Sequence, residues 1–188
     1  MPILPIVLYN DAVLRRTAEP LASLTPDVEA LIADMFQTMY EANGVGLAAP
    51  QIGRSIRLFV VDADVMVEDE PDAPRYGKRV FINPVITHAG PETVSFEEGC
   101  LSLPDLRETV ARPDAITLSY RDETFTEQTE SYDGWMSRVI QHELDHLDGI
   151  LFIDRIGSFK RRLMGRKLEP IDQGLVKPAY AHIERGHV

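Results

Sequence analysis

One cysteine in 188 residues excludes an internal disulfide, and with it the stapled architecture of small secreted domains. A reducing compartment is the expected setting. Long apolar runs are missing too: nothing approaches the roughly 18 consecutive apolar residues of a bilayer span. The opening Met1-Pro2-Ile3-Leu4-Pro5 is apolar, but it has no basic residues and carries two prolines. It therefore makes a poor secretory leader, and no membrane partner is expected. Basic residues are in deficit, with 19 Lys and Arg against 30 Asp and Glu and a net charge of −11. Such a balance repels phosphates and argues against DNA or any large nucleic-acid surface. Neither an internal repeat nor a low-complexity stretch interrupts the chain, which has the length of a single domain with one proper core.

What is present reads as a mixture of helices and strands. Thr25-Pro26 has the N-cap and first-position signature of a helix. Val28, Leu31, Ile32, Met35, Phe36, Met39 and Tyr40 then recur at helical spacing until Asn43-Gly44. Residues 56–62 read as a buried strand. Further strands are expected at 80–86, 93–96, 116–121 and 124–132, with Ile116, Leu118 and Tyr120 alternating against Thr117, Ser119 and Arg121. Between them, the acidic segment 66–78 carries Pro71, Pro74 and Gly77 and reads as an exposed excursion. A second long helix runs from about Gly134 to Leu147, followed by a basic amphipathic piece over 158–167. Residues 168–188 read as an irregular tail, leaving 1–167 as the catalytic domain. No βαβ rhythm is visible, so the expected class is α+β, with mostly antiparallel sheets packed around a central helix.

That second helix carries the chemistry. It contains Gln141-His142-Glu143-Leu144-Asp145-His146, an H-E-x-x-H pattern that sets two imidazoles one turn apart on one face. On a helical wheel Ser137, Arg138, Gln141, Asp145 and Asp148 share a polar sector. Trp135, Val139, Ile140, Leu144 and Leu147 fill the opposite arc, with Glu143 inside it and the two histidines at its edge. A carboxylate is costly to bury without a partner. A salt-bridged glutamate and two satisfied core histidines are the alternative, but a metal ion with Glu143 as base toward a water accounts for all three residues together.

A catalytic site of this kind needs a third protein ligand and an open position. Downstream candidates are Asp148, which lies on the polar sector, Asp154, and the tail residues His182 and His187. Upstream, Cys100 follows a glycine at a strand end. A lone cysteine is more often a small core residue, yet its thiolate is a good ligand. Gly44 to Gln51, read alone, is a glycine-rich helix exit.

Taken together, GVGLAAPQ at 44–51, EGCLS at 98–102 and QHELDH at 141–146 resemble, in this order, the three motifs of the peptide deformylase family. The resemblance extends from about Leu4 to Lys167. It implies removal of the formyl group from the N-terminal formylmethionine of newly made proteins, with formate as the acid product. By the same resemblance Cys100, His142 and His146 bind the metal, and Glu143 is the general base and then protonates the leaving amine. Gln51 and the backbone N–H of Leu101 steady the oxyanion, Val45 and Gly46 bind the substrate main chain, and Arg107 lies along the peptide groove. Val45, Leu103 and Ile140 are candidates for the methionine pocket. The family's ion is usually ferrous iron, Fe2+, one per chain, although two imidazoles and a thiolate read cold suggest zinc. Zinc, nickel or cobalt can occupy such a site.

Two other classes fit parts of the pattern. A metallopeptidase would take its third ligand downstream and has no use for Gln51. A silent binding module would have no use for Glu143. The basic run Lys160-Arg161-Arg162 with Arg166 and Lys167 reads as a solvated helix face or as a contact for the ribosome. The bacterial cytoplasm is the expected location.

Overall fold

The computed structural model describes residues 2–9 and 11–183; His187 lies outside them. Helix α1 spans Pro26–Glu41, its first turn capped by the Thr25 hydroxyl, which accepts from the Val28 N–H. Asn43, at φ +55°, takes the left-handed turn that ends it. Five antiparallel strands follow as one sheet: β1 (Gly46–Ala48), β2 (Leu58–Val61), β3 (Arg79–Ala89), β6 (Ile116–Arg121) and β7 (Glu127–Tyr132), adjacent in that order. Between β3 and β6 the chain leaves to form a separate hairpin, β4 (Thr93–Cys100) and β5 (Leu103–Pro113).

The four residues of β2 are wholly buried because the sheet is covered on both faces. Phe59 and Val61 point to one side and join Phe81, Leu118, Met136, Val139 and Ile140. Leu58 and Val60 point to the other and join Ile32, Met35 and Met39 of α1. Helix α2 (Gly134–Leu147) is thus held between the sheet and the hairpin, the central helix of an α+β fold. A third apolar cluster joins Leu103, Leu106 and Val110 of β5 to Phe152, Ile153 and helix α3 (Ser158–Asp172).

Several features differ from the sequence expectation, the short strand β1 among them. Strand β5 was not expected, since Pro104, Pro113 and the charges of Leu103–Pro113 hide its alternation. The helix α3 runs past Lys167 to Asp172, because Met164, Leu168 and Ile171 continue one buried stripe against β5. Beyond it, Ile6 pairs with His182 in a parallel bridge, so the tail is not irregular throughout. The excursion at 66–78 is largely exposed, but the Asp64 carboxylate accepts from the N–H groups of Tyr76 and Gly77, while Arg75 donates to the carbonyls of Asp64 and Glu68. Among the described residues, no helix is long and apolar enough to cross a membrane.

Candidate metal centre

The α2 spacing brings His142 and His146 together, their ring centroids 5.1 Å apart. Cys100 arrives from the end of β4. There the chain reverses through a two-residue turn, Leu101–Ser102, so that Cys100 pairs with Leu103. The Cys100 Sγ lies 3.2 Å from the His146 Nε2. One ligand atom from each of Cys100, His142 and His146 falls within 4.8 Å of the others, a group that could hold one metal ion.

Two buried polar atoms beside this group have no hydrogen-bond partner among the described residues: the Glu143 Oε2 and the His146 Nδ1. Glu143 is 4% exposed. Burial pushes its carboxyl up to about 7, with the Glu98 charge adding and His142 opposing. A base poised there suits proton transfer near neutrality. The absence of a side chain at Gly46 makes room for it, since a Cβ at that position would lie 2.4 Å from the Glu143 Oε1. A small thiolate–imidazole cluster flanked by an unsatisfied buried carboxylate fits a hydrolytic metal site better than a closed structural one.

Gln51 sits in the 3-10 turn Ala49–Ile52 after β1 and is buried. Its Oε1 accepts from the Ala48 N–H, which aims the Nε2 toward Cys100 Sγ at 3.5 Å and Ser102 Oγ at 3.4 Å. Val45, Gly46, Leu101 and Arg107 line the same groove of about 430 Å³. The Arg107 side chain is 70% exposed and lies 3.9 Å from the Glu97 carboxylate. Cys100, His142, His146, Glu143, Gln51, Val45, Gly46, Leu101 and Arg107 are thus brought together around one groove.

The supporting residues were not anticipated. His142 Nδ1 donates to the Glu98 Oε2 at 2.9 Å, which turns its Nε2 toward the ligand group. Glu98 in turn accepts two bonds from Arg112, at 2.7 and 2.9 Å, and one from Arg138 at 2.8 Å. Burial raises the Glu98 carboxyl, but hydrogen bonds from Arg112 and His142 outweigh it and hold the group far below the carboxylate range. Asp145 completes the cluster by accepting from Arg112 and Arg155. The polar sector of α2 is consequently buried: Ser137, Arg138, Gln141 and Asp145 are all 6% exposed or less. Only Asp148 of that set reaches solvent. The one sequence cue to Glu98 was its place two residues before the cysteine.

Burial disfavours a charged His142, yet its bonds with Cys100 and Glu98 prevail and hold its pKa well above the ordinary value. Burial and the neighbouring His142 charge push His146 the other way. The downstream alternatives for a third ligand are engaged elsewhere. Asp148 pairs with Arg57, Asp154 with Arg15 and Arg161, and the His182 Nδ1 contacts the Tyr180 carbonyl. Of the three apolar residues the sequence offered for a methionine side chain, Val45 and Leu103 line the groove, whereas Ile140 turns into the sheet core; its neighbour Val139 also lines the groove.

The polypeptide deformylase family model matches residues 3–162. A peptide deformylase of Flavobacterium psychrophilum is 47% identical over 184 residues, 95% of each chain. Among solved structures, a peptide deformylase from Legionella pneumophila superposes with a TM-score of 0.79 at 38% identity, covering 92% of this chain and 96% of its own. One from Ehrlichia chaffeensis in complex with actinonin gives 0.82 at 34% identity, covering 90% and 97%. The chain belongs to the polypeptide deformylase family of hydrolases.

Proposed function

We propose that this protein removes the N-formyl group from the formylmethionine of newly synthesised proteins, using a divalent ion held by Cys100, His142 and His146. The observation that carries this reading is the unpartnered Glu143 Oε2 beside those three clustered ligand groups. When bound, the ion acts as a Lewis acid toward water and the formyl carbonyl. Glu143 takes the proton of the attacking water and returns it to the leaving amine. Gln51 Nε2 and the Leu101 N–H donate to the oxygen on which negative charge develops, each typically worth ~10²–10³ in rate. The backbone of Val45 and Gly46 binds the substrate main chain at the free edge of β1, and Arg107 borders the groove. Removal of water from this buried pocket strengthens each of these interactions.

Ferrous iron is the proposed native ion, with zinc, nickel or cobalt able to substitute, because a thiolate and two imidazoles suit all four. The lone cysteine supports a bacterial cytoplasmic location. Contact with the ribosome is a further part of the proposal, supported by the basic face of α3, although Lys160 and Arg161 already pair with Glu108 and Asp154. Reversing the charge of Lys160, Arg161, Arg162, Arg166 and Lys167 should abolish co-sedimentation with ribosomes; unchanged co-sedimentation removes that contact from the account. The function itself is tested by formate release from formyl-Met-Ala-Ser with protein loaded anaerobically with ferrous iron. Release is expected, and its absence would overturn the reading.

A further inference from the structure

The Leu101–Ser102 turn has to hold an oxyanion donor still, yet a two-residue turn at the tip of a hairpin has few bonds of its own. Three distant parts of the chain converge on it. The Tyr9 N–H donates to the Ser102 carbonyl at 2.8 Å, and the Gln51 Nε2 reaches the Ser102 Oγ at 3.4 Å. From the far end of the chain, the Tyr180 hydroxyl donates to the Leu101 carbonyl at 2.5 Å. Tyr180 also lines the catalytic groove, and burial pushes its hydroxyl pKa up, so it stays a proton donor at neutral pH.

Tyr180 is itself fixed by the two terminal segments running side by side. The Ile6 N–H donates to the Ala181 carbonyl and the Ile183 N–H to the Ile6 carbonyl, both at 2.9 Å. One residue on, the Val7 N–H donates to the Gln51 carbonyl at 2.7 Å. The segment that anchors Tyr180 therefore also anchors the backbone of Gln51. Both proposed oxyanion donors are braced by the same pair of chain ends.

We infer that Tyr180 is a positioning residue for deformylation: its hydroxyl holds the Leu101–Ser102 peptide plane and so restricts rotation about the Leu101 Cα, which steadies the preceding plane and its Leu101 N–H toward the developing oxyanion. This rests on the deformylase reading of the site. The hydroxyl donates to the Leu101 carbonyl and is not among the three ligand groups. Its loss should affect the transition state, where charge on the oxygen is greatest, and leave substrate binding nearly intact.

The test is Tyr180→Phe in the full-length, metal-loaded protein, with the ring and its packing retained. Expected is a kcat roughly tenfold lower with KM within about twofold, since small misplacement of a reacting group costs tenfold to a hundredfold. Metal content should stay at the wild-type level. Hydrogen–deuterium exchange supplies a readout independent of turnover: amides of the peptide covering 98–104 should exchange faster in the variant, and those of α1 should not. An unchanged kcat with unchanged exchange at 98–104 overturns the inference, and so does a raised KM at constant kcat, which would make Tyr180 a substrate contact. Failure of wild-type protein to release formate would instead strike the deformylase reading and leave the exchange prediction standing.

Discussion

Replacing Glu143 with glutamine should slow formate release by about 10²–10⁴ while the metal remains bound, the range associated with loss of a general acid–base group. Glutamine has the same shape, so the packing against Gly46 survives. What disappears is the ability to accept a proton. Glu143 is not among the three clustered ligand groups, and its Oε2 is buried without a hydrogen-bond partner among the described residues. Evolution of a stable core would not leave a carboxylate in that condition, because an unsatisfied buried acceptor costs about 1–3 kcal/mol or more. The measurement is kcat alongside metal analysis of the same preparation. Retained activity, or activity lost together with the metal, would contradict the role assigned to Glu143.

Replacing Arg112 with leucine should destabilise the fold by about 3–5 kcal/mol, the usual consequence of removing one partner from a buried ion cluster. Arg112 is 4% exposed and bonds both oxygens of Glu98 and one of Asp145. Without it, two buried carboxylates lose their shared cation, although Arg138 still reaches Glu98 and Arg155 still reaches Asp145. For a chain of this size the melting temperature should fall by roughly 10 °C, read by thermal denaturation. Arg112→Lys should recover only part of the loss, because an ammonium cannot make the two-pronged bond to Glu98. A leucine variant as stable as wild type would mean that the cluster contributes no net stability. The same substitution leaves Glu98 with Arg138 as its one remaining arginine partner among the described residues, so the orientation of His142 should loosen with it.

The parts of the fold that were legible in the sequence are those set by local pattern. Thr25-Pro26 and the apolar spacing to Tyr40 define α1, and the wheel of α2 already put Glu143 among apolar residues. The polar sector of α2 misled because its satisfaction is non-local. Arg138 and Asp145 look like solvent-facing residues until Glu98 and Arg112 arrive from a hairpin 40 and 33 positions away in the chain, as the spans of their bonds show. Strand β5 escaped for the same reason: its inward Arg112 breaks the apolar alternation by which a strand is recognised. Cys100 could be separated from a core cysteine only through the resemblance of three motifs. Tyr180 carried no signal at all, since a bridge between chain ends has no periodicity.

The central claim is that one ion is held by Cys100, His142 and His146, and the most direct measurement is the metal content of Cys100→Ala after anaerobic loading with ferrous iron and removal of excess. Wild-type protein should retain about one ion per chain, and the variant, left with two imidazoles, should retain far less, since a catalytic site of this type depends on three protein ligands. A Cys100→Ala protein that keeps its full complement of metal would contradict the ligand assignment and the mechanism built on it.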